Sequence, residues 1–181
     1  MAATFAFNRD TGAATGTPTQ GTTRAAVTDS NWKNVDDTTT LYSASPINAG
    51  NNSFDIWNFG VFSGTYNQIS AVLFAHTAGA LGAGLTVKGV PSTASTSGLA
   101  YTTPSTAANS SLTVDMTSAV AITSGVTVYV GATGPQAATM ATSTTANPAY
   151  TNYLTTQLQT TTAAAPGDTT TLTLTVQYNE N

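Results

Sequence analysis

The residues that could carry chemistry are few. The chain has one histidine, His76, in the stretch LFAHTAGALGAGLTVKG (Leu73 to Gly89), with glycines at 79, 82 and 84 close behind it. A histidine base needs an orienting carboxylate and a nucleophile within hydrogen-bond reach, and no GxSxG nucleophile elbow occurs anywhere in the chain. A phosphate-cradling loop would run its glycines into Gly-Lys-Ser/Thr at the start of a helix. Here Gly84 opens the strand-like LTV instead. The glycines are expected to form the bend or bulge of a β-hairpin, with His76 a structural or surface residue beside it.

The carboxylates give little more. Glu180 is the only glutamate, Asp36 and Asp37 are adjacent in a polar loop, and Asp55 and Asp115 lie on candidate strands where they could meet. A glycosidase needs two acids flanking its substrate, but aspartate on a strand more often faces solvent. One histidine and no cysteine leave no zinc site. Calcium between loops would have to use Asp29, Asp36, Asp37 or Asp168, without EF-hand spacing. Trp57, Phe59, Phe62 and Tyr66 could form a sugar-stacking platform, although a run so apolar on both faces is better suited to a core. The reading is of a protein that is not an enzyme, with no catalytic residue, no bound metal and no cofactor.

Whatever positions these residues is built of β-structure. Four Lys or Arg and eight Asp or Glu make up 7% of the 181 residues, against about 25% in an ordinary domain. Their place is taken by 39 threonines, β-branched residues that pack a methyl in a strand and turn a hydroxyl to water. Four scattered cations, Arg9, Arg24, Lys33 and Lys88, cannot neutralise a row of phosphates, which argues against nucleic acid as a partner. The run from Ile69 to Val87 lacks charge but is broken by glycines and hydroxyls, so no membrane span is expected. The opening MAATFAFNRDTG has neither the basic start nor the apolar run of a signal peptide.

Strand-like runs alternate with turn clusters along most of the chain. SFDIWNFGVFSG is apolar on both faces, as in a central strand. QISAVLFAH mixes both faces, whereas GLTVKG, SLTVDM and SGVTVYVG alternate. TLTLTVQYNEN sets Leu172, Leu174, Val176 and Tyr178 opposite Thr173, Thr175, Gln177 and Asn179, the pattern of a half-buried strand. YTNYLTTQLQ has helical spacing at Tyr150, Tyr153, Leu154 and Leu158, but its threonines favour a strand. APGD, with Pro166 and Gly167 at its centre, predicts a type II turn. Roughly eight strands at this spacing predict an all-β domain, a single β-sandwich or jelly-roll-like fold over residues 30–181. Residues 1–29 are too rich in Gly, Pro and Thr to repay their ordering entropy and are expected to be a flexible, extended N-terminal arm. Phe5 and Phe7, two apart, point the same way from an extended chain. They either belong to a strand of the domain or form a partner contact, adding a strand to a neighbour.

FDIWNFGVFSGTYNQISAVLFAHTAGALGAGLTVKG (Phe54 to Gly89) and YTNYLTTQLQTTTAAAPGDTTTLTLTVQYNEN (Tyr150 to Asn181) resemble the small structural proteins of tailed-bacteriophage virions. Among these the chain is most similar to the capsid decoration, or cement, proteins. The likeness is one of texture: Thr/Ala/Gly-rich strands, no cysteine, a short acidic strand at the end. It assigns no role to any single residue, and residues 90–148 lie outside it. It implies a non-enzymatic virion protein, made in the host cytoplasm, that binds the assembled capsid surface and reinforces it. The implied partners are the major capsid protein or other virion proteins and further copies of the chain, with a homotrimer as the specific expectation. A tail, neck or fibre protein, or a carbohydrate-binding module for host attachment, is the alternative.

Overall fold

The computed structural model describes residues 2–16, 19–91, 101–122, 126–129, 135, 140–165 and 171–181. Among the described residues thirteen strands are formed: β1 (Ala3–Thr15), β2 (Gln20–Val27), β3 (Ile56–Gly64), β4 (Ile69–Ala78), β5 (Leu85–Pro91), β6 (Val114–Asp115), β7 (Val120–Ile122), β8 (Val128–Tyr129), β9 (Met140–Ala141), β10 (Ser143–Thr144), β11 (Ala149–Tyr150), β12 (Leu154–Thr160) and β13 (Thr173–Glu180). A single 3-10 turn at Tyr42–Ala44 is the only helical element among the described residues, and no helix there is long and apolar enough to cross a membrane.

The strands make two packed antiparallel sheets, as an all-β sandwich requires. The larger, seven-stranded sheet has the order β2-β1-β3-β12-β5-β6, with β11 also on β3; the smaller has β4 flanked by β13 on one side and by β10 and β7 on the other. β8 and β9 form a separate two-stranded ribbon. The strand count exceeds the eight expected because several strands are only two residues long.

Between the sheets lies an apolar core. Phe5 and Phe7 of β1, Phe62 of β3, Leu154 and Leu158 of β12 and Val87 of β5 meet Ile69, Val72 and Phe74 of β4. Ring contacts fasten the layers: Phe7 stacks on Phe74 at 6.3 Å, and Phe62 meets Tyr178 of β13 edge-on at 4.7 Å. Such pairs add about 1 kcal/mol each to the burial of their area. β3 is buried on its other face too, where Trp57 and Phe59 pack with Tyr153 and Tyr101. The segment that follows Tyr101 crosses this outer face, its Ser105 carbonyl accepting from the Asp55 N–H and its Asn109 N–H donating to Gln157 Oε1. That third layer is why Phe54 to Phe62 is apolar in both directions.

Two expectations are corrected. Residues 3–15 are not a free arm: β1 pairs with β2 on one side and, from Ala3↔Gly64 to Asp10↔Trp57, with β3 on the other. A strand hydrogen-bonded on both edges has little backbone left to offer a neighbour. Phe5 and Phe7 are accordingly turned between the sheets, 4.9 Å apart, rather than held out as a partner contact. Nor are β4 and β5 a hairpin. β4 pairs with β13 and β5 with β12, so Gly79 to Gly84 carries the chain from one sheet to the other. Gly79 (φ 101°) and Gly84 (φ 79°) are left-handed, and a Cβ on either would run into backbone, Thr171 O at 2.3 Å and Ala164 N at 2.6 Å. The strand expected at YTNYLTTQLQ forms as β12. The Pro166–Gly167 turn and Val130 lie outside the described residues.

Candidate functional site

All four cations are spent within the fold. Arg9 pairs with Asp36 at 3.2 Å, Arg24 with Asp10 at 2.7 Å, Lys33 with Asp37 at 2.8 Å and Lys88 with Asp115 at 3.0 Å. Asp36 also accepts from the Gly12 N–H at 2.6 Å; Asp37 accepts from the Thr40 N–H at 2.8 Å and from its hydroxyl. Of the four aspartates named for a calcium site, Asp36 and Asp37 are thus committed to Arg9 and Lys33. Among the described residues no three His, Cys, Asp or Glu side chains come together as metal ligands; Asp168 lies outside them.

Asp55 and Asp115 do not meet. Asp55 precedes Ile56, which pairs with Thr156; Gln157 pairs with Lys88, and Lys88 with Asp115. Three strand spacings separate the two acids, about 14 Å at the backbone, well beyond the roughly 5–9.5 Å that suits a glycosidase. Asp55 is 4% exposed, its Oδ2 accepts from the Asn109 amide at 3.4 Å, and its Oδ1 has no partner. Burial pushes its carboxyl up to about 6.

A buried charged cluster that sequence reading missed is centred on Asp10. Asp10 of β1, fully buried, accepts from Arg24 Nε at 2.7 Å and Nη2 at 2.8 Å, from the Tyr153 hydroxyl, and weakly from the Gly21 N–H at 3.4 Å. The Arg24 guanidinium lies 4.7 Å over the Phe59 ring, and the Tyr101 hydroxyl donates to the Gly12 carbonyl at 2.7 Å. Burial, and then the charge of Asp10, drive the Tyr153 hydroxyl far above its ordinary range. A phenol held so firmly protonated is a fixed donor, and the cluster is a structural latch over the outer face of β3.

His76 sits on β4, 1% exposed, on the inner face beside Val120 of β7 and Leu174 of β13. Its Nε2 bonds the Ala78 carbonyl at 2.8 Å, and Nδ1 has no partner. Among the described residues no carboxylate orients the ring, so its visible work is to hold the end of β4 where the chain leaves the sheet. Replacing His76 by Gln is expected to cost about 1–2 kcal/mol in urea unfolding, the worth of one buried hydrogen bond and some packing. A change below a few tenths would show that the Ala78 bond is idle.

Among the described residues the structure does provide a concave site with an apolar wall. A cleft of about 750 Å³ opens where loop 28–49 crosses the end of the sandwich. Phe7, Leu158 and Leu174 form its walls. Trp32, half-buried and packed on the same core, is fixed by its indole N–H donating to Thr156 Oγ1 at 3.3 Å. Asn58, 2% exposed, lines the cleft from β3; its Oδ1 accepts from the Ser30 hydroxyl at 3.1 Å, and its Nδ2 has no hydrogen bond among the described residues. The rim carries Tyr42, 47% exposed, next to Leu41, 70% exposed, with Asp29, Asn31 and Asn48. The aromatics expected as the alternative sugar platform, Trp57, Phe59, Phe62 and Tyr66, are instead core. Sequence contained one signal for the cleft, the pairing of Trp32 and Tyr42 with a run of Asn and Ser, but nothing to separate it from an ordinary polar loop.

Comparison with known proteins gives no matching family model, no matching curated protein and no matching solved structure.

Proposed function

We propose that the chain is a non-enzymatic structural protein of a tailed-phage virion that binds the outside of the assembled capsid and stabilises it. The observation that carries this reading is how the chain spends its charge and leaves its edges. Every Lys and Arg is tied to an aspartate of the same chain. What remains outside is a weakly charged, Thr-rich surface. A protein packed in many copies beside its own kind gains from having no strong like-charge field. Among the described residues, β2 and β13 each have a strand neighbour on one side only, and β13 carries a single charge, Glu180, whose carboxylate accepts from the Ala3 N–H at 2.9 Å. Such edges are suited to pairing across subunits.

The partners on this reading are the major capsid protein and further copies of the chain, as a homotrimer on a three-fold position of the shell. A standard contact of about 800 Å² per partner would rest on apolar burial and strand-edge hydrogen bonds, so its strength should vary little with salt. Binding the assembled shell and not its free subunits stabilises the particle by mass action. Particles stripped of the protein should come apart at lower temperature and regain their stability when it is titrated back, at low and at high salt alike. Equal disruption temperatures with and without the protein would overturn the cement role in favour of a tail, neck or fibre position.

A further inference from the structure

We infer that the cleft under loop 28–49 is a binding site for a neutral N-acetylated sugar, a function independent of where the protein sits on a particle. The cleft's volume, about 750 Å³, falls in the range of small-ligand sites, about 300–1,000 Å³. Among the described residues its lining includes no Lys, Arg or His, and Asp29 is the only charged one. A phosphate, a carboxylated sugar or a fatty acid would enter without a counter-charge from these residues, which argues against an anion and in favour of a neutral occupant.

The floor narrows the chemistry further. Asn58 is the buried polar side chain there, tied to Ser30 through Oδ1 alone. Its Nδ2 has no protein partner among the described residues, so a ligand acceptor can take the place of water there. Around it stand Phe7, Leu158 and Leu174, which offer only apolar contact. The ligand group that suits this floor is small, has a hydrogen-bonding end and carries a methyl. An acetamido substituent meets all three conditions. It has both a C=O and an N–H, so it complements the Asn58 amide whichever way the Ser30 hydroxyl turns that group.

The rim fits the rest of such a sugar. Tyr42 exposes nearly half its surface beside the cleft, an aromatic ring on which the C–H side of a pyranose can pack. Asp29, Asn31 and Asn48 provide carboxylate and amide groups for ring hydroxyls. Trp32 is fixed by its bond to Thr156 at 3.3 Å, and a side chain already held in place lowers the ordering cost of binding.

The test is amide-resolved NMR of isotope-labelled full-length protein titrated with N,N′-diacetylchitobiose. Cellobiose serves as the same linkage without acetamido groups, and sialic acid as a charged sugar. The Asn58 side-chain amide and the Trp32 indole signals should shift saturably with the first sugar. Cellobiose should bind about tenfold more weakly, for want of the buried hydrogen bond. Tyr42→Ala, at an exposed position, should weaken binding by a similar factor, and Asn58→Leu should abolish the preference for the acetylated sugar. If Asn58→Leu does not fold, the shift of the native Asn58 amide decides. Equal affinity for cellobiose would overturn the acetamido assignment, and tighter binding of sialic acid would overturn the neutral one. An unmoved Asn58 signal with both neutral sugars would overturn the site itself.

Discussion

Asp10→Ala is expected to destabilise the fold by about 2–4 kcal/mol, somewhat below the roughly 3–5 kcal/mol typical of breaking a fully buried ion pair. The discount comes from Arg24, which is 27% exposed and can swing its charge into water once its partner is gone. The Tyr153 hydroxyl has no such exit. It is buried, on a ring that meets Trp57 edge-on at 5.4 Å, and would lose its bond to Asp10. Asp10 joins three elements at once: its own β1, β2 through Arg24, and the start of β12 through Tyr153, which reaches across the intervening β3. The loss should therefore appear as lower resistance to urea with no change in the steepness of the transition. Arg24→Ala should be costly too, because it leaves Asp10 buried beside a phenol and no cation. The Asp10→Ala/Arg24→Ala double mutant should cost less than the sum of the singles by at least about 1 kcal/mol. Additive losses would mean that the two residues act separately and that no latch exists.

This latch shows where sequence stops being informative. The two apolar faces of Ile56 to Phe62, the alternation of Leu172 to Tyr178 and the β-branched content of Leu154 to Thr160 are local patterns, and each became the strand it predicts. β1 was legible only in part. Phe5 and Phe7 alternate as a strand should, but Arg9 and Asp10 follow at buried positions, and buried charges are compensated only by partners elsewhere in the chain. For Asp10 those partners lie 14 and 143 residues away, at Arg24 and Tyr153. The glycine-rich turn beyond them, and the threonines around it, have the texture of a linker. A window of a few residues contains nothing to correct that reading.

The connection after His76 failed for a related reason. Two strand-like runs separated by glycines are the signal of a hairpin, yet β4 finds β13 and β5 finds β12. Pairing is decided by the whole set of apolar faces that must be covered, not by the turn alone. The cleft was illegible for the same cause. Asn58 looks like a polar interruption in an apolar strand, and its significance depends on Ser30, from a loop 28 residues earlier, occupying one of its two amide atoms.

The second large effect concerns Asp55 and has an unusual sign. Burial holds its carboxyl up to about 6 in the folded protein, from an ordinary value of 3.8, with only Asn109 pulling it down and no cation nearby. An acid whose folded value is raised binds its proton more tightly in the native state. Its contribution is therefore full below the unfolded value and is lost as pH rises through about 6. Asp115 runs the other way. Bonds from the Thr117 hydroxyl and N–H, with help from Lys88, hold it down to about 2, so its contribution is present at neutral pH and fades only in strong acid. Burial raises Asp36 as well, so Asp55 must be isolated by substitution. Asp55→Asn keeps the shape and the bond from Asn109 and removes the charge. Relative to the parent, it should be nearly neutral at about pH 4 and stabilising by about 1–3 kcal/mol at about pH 7. Urea unfolding of both proteins across that window gives the difference directly, free of the other titrating groups they share. A difference that does not change with pH would mean that the buried Oδ1 of Asp55 is matched in solution and that the carboxylate carries no penalty.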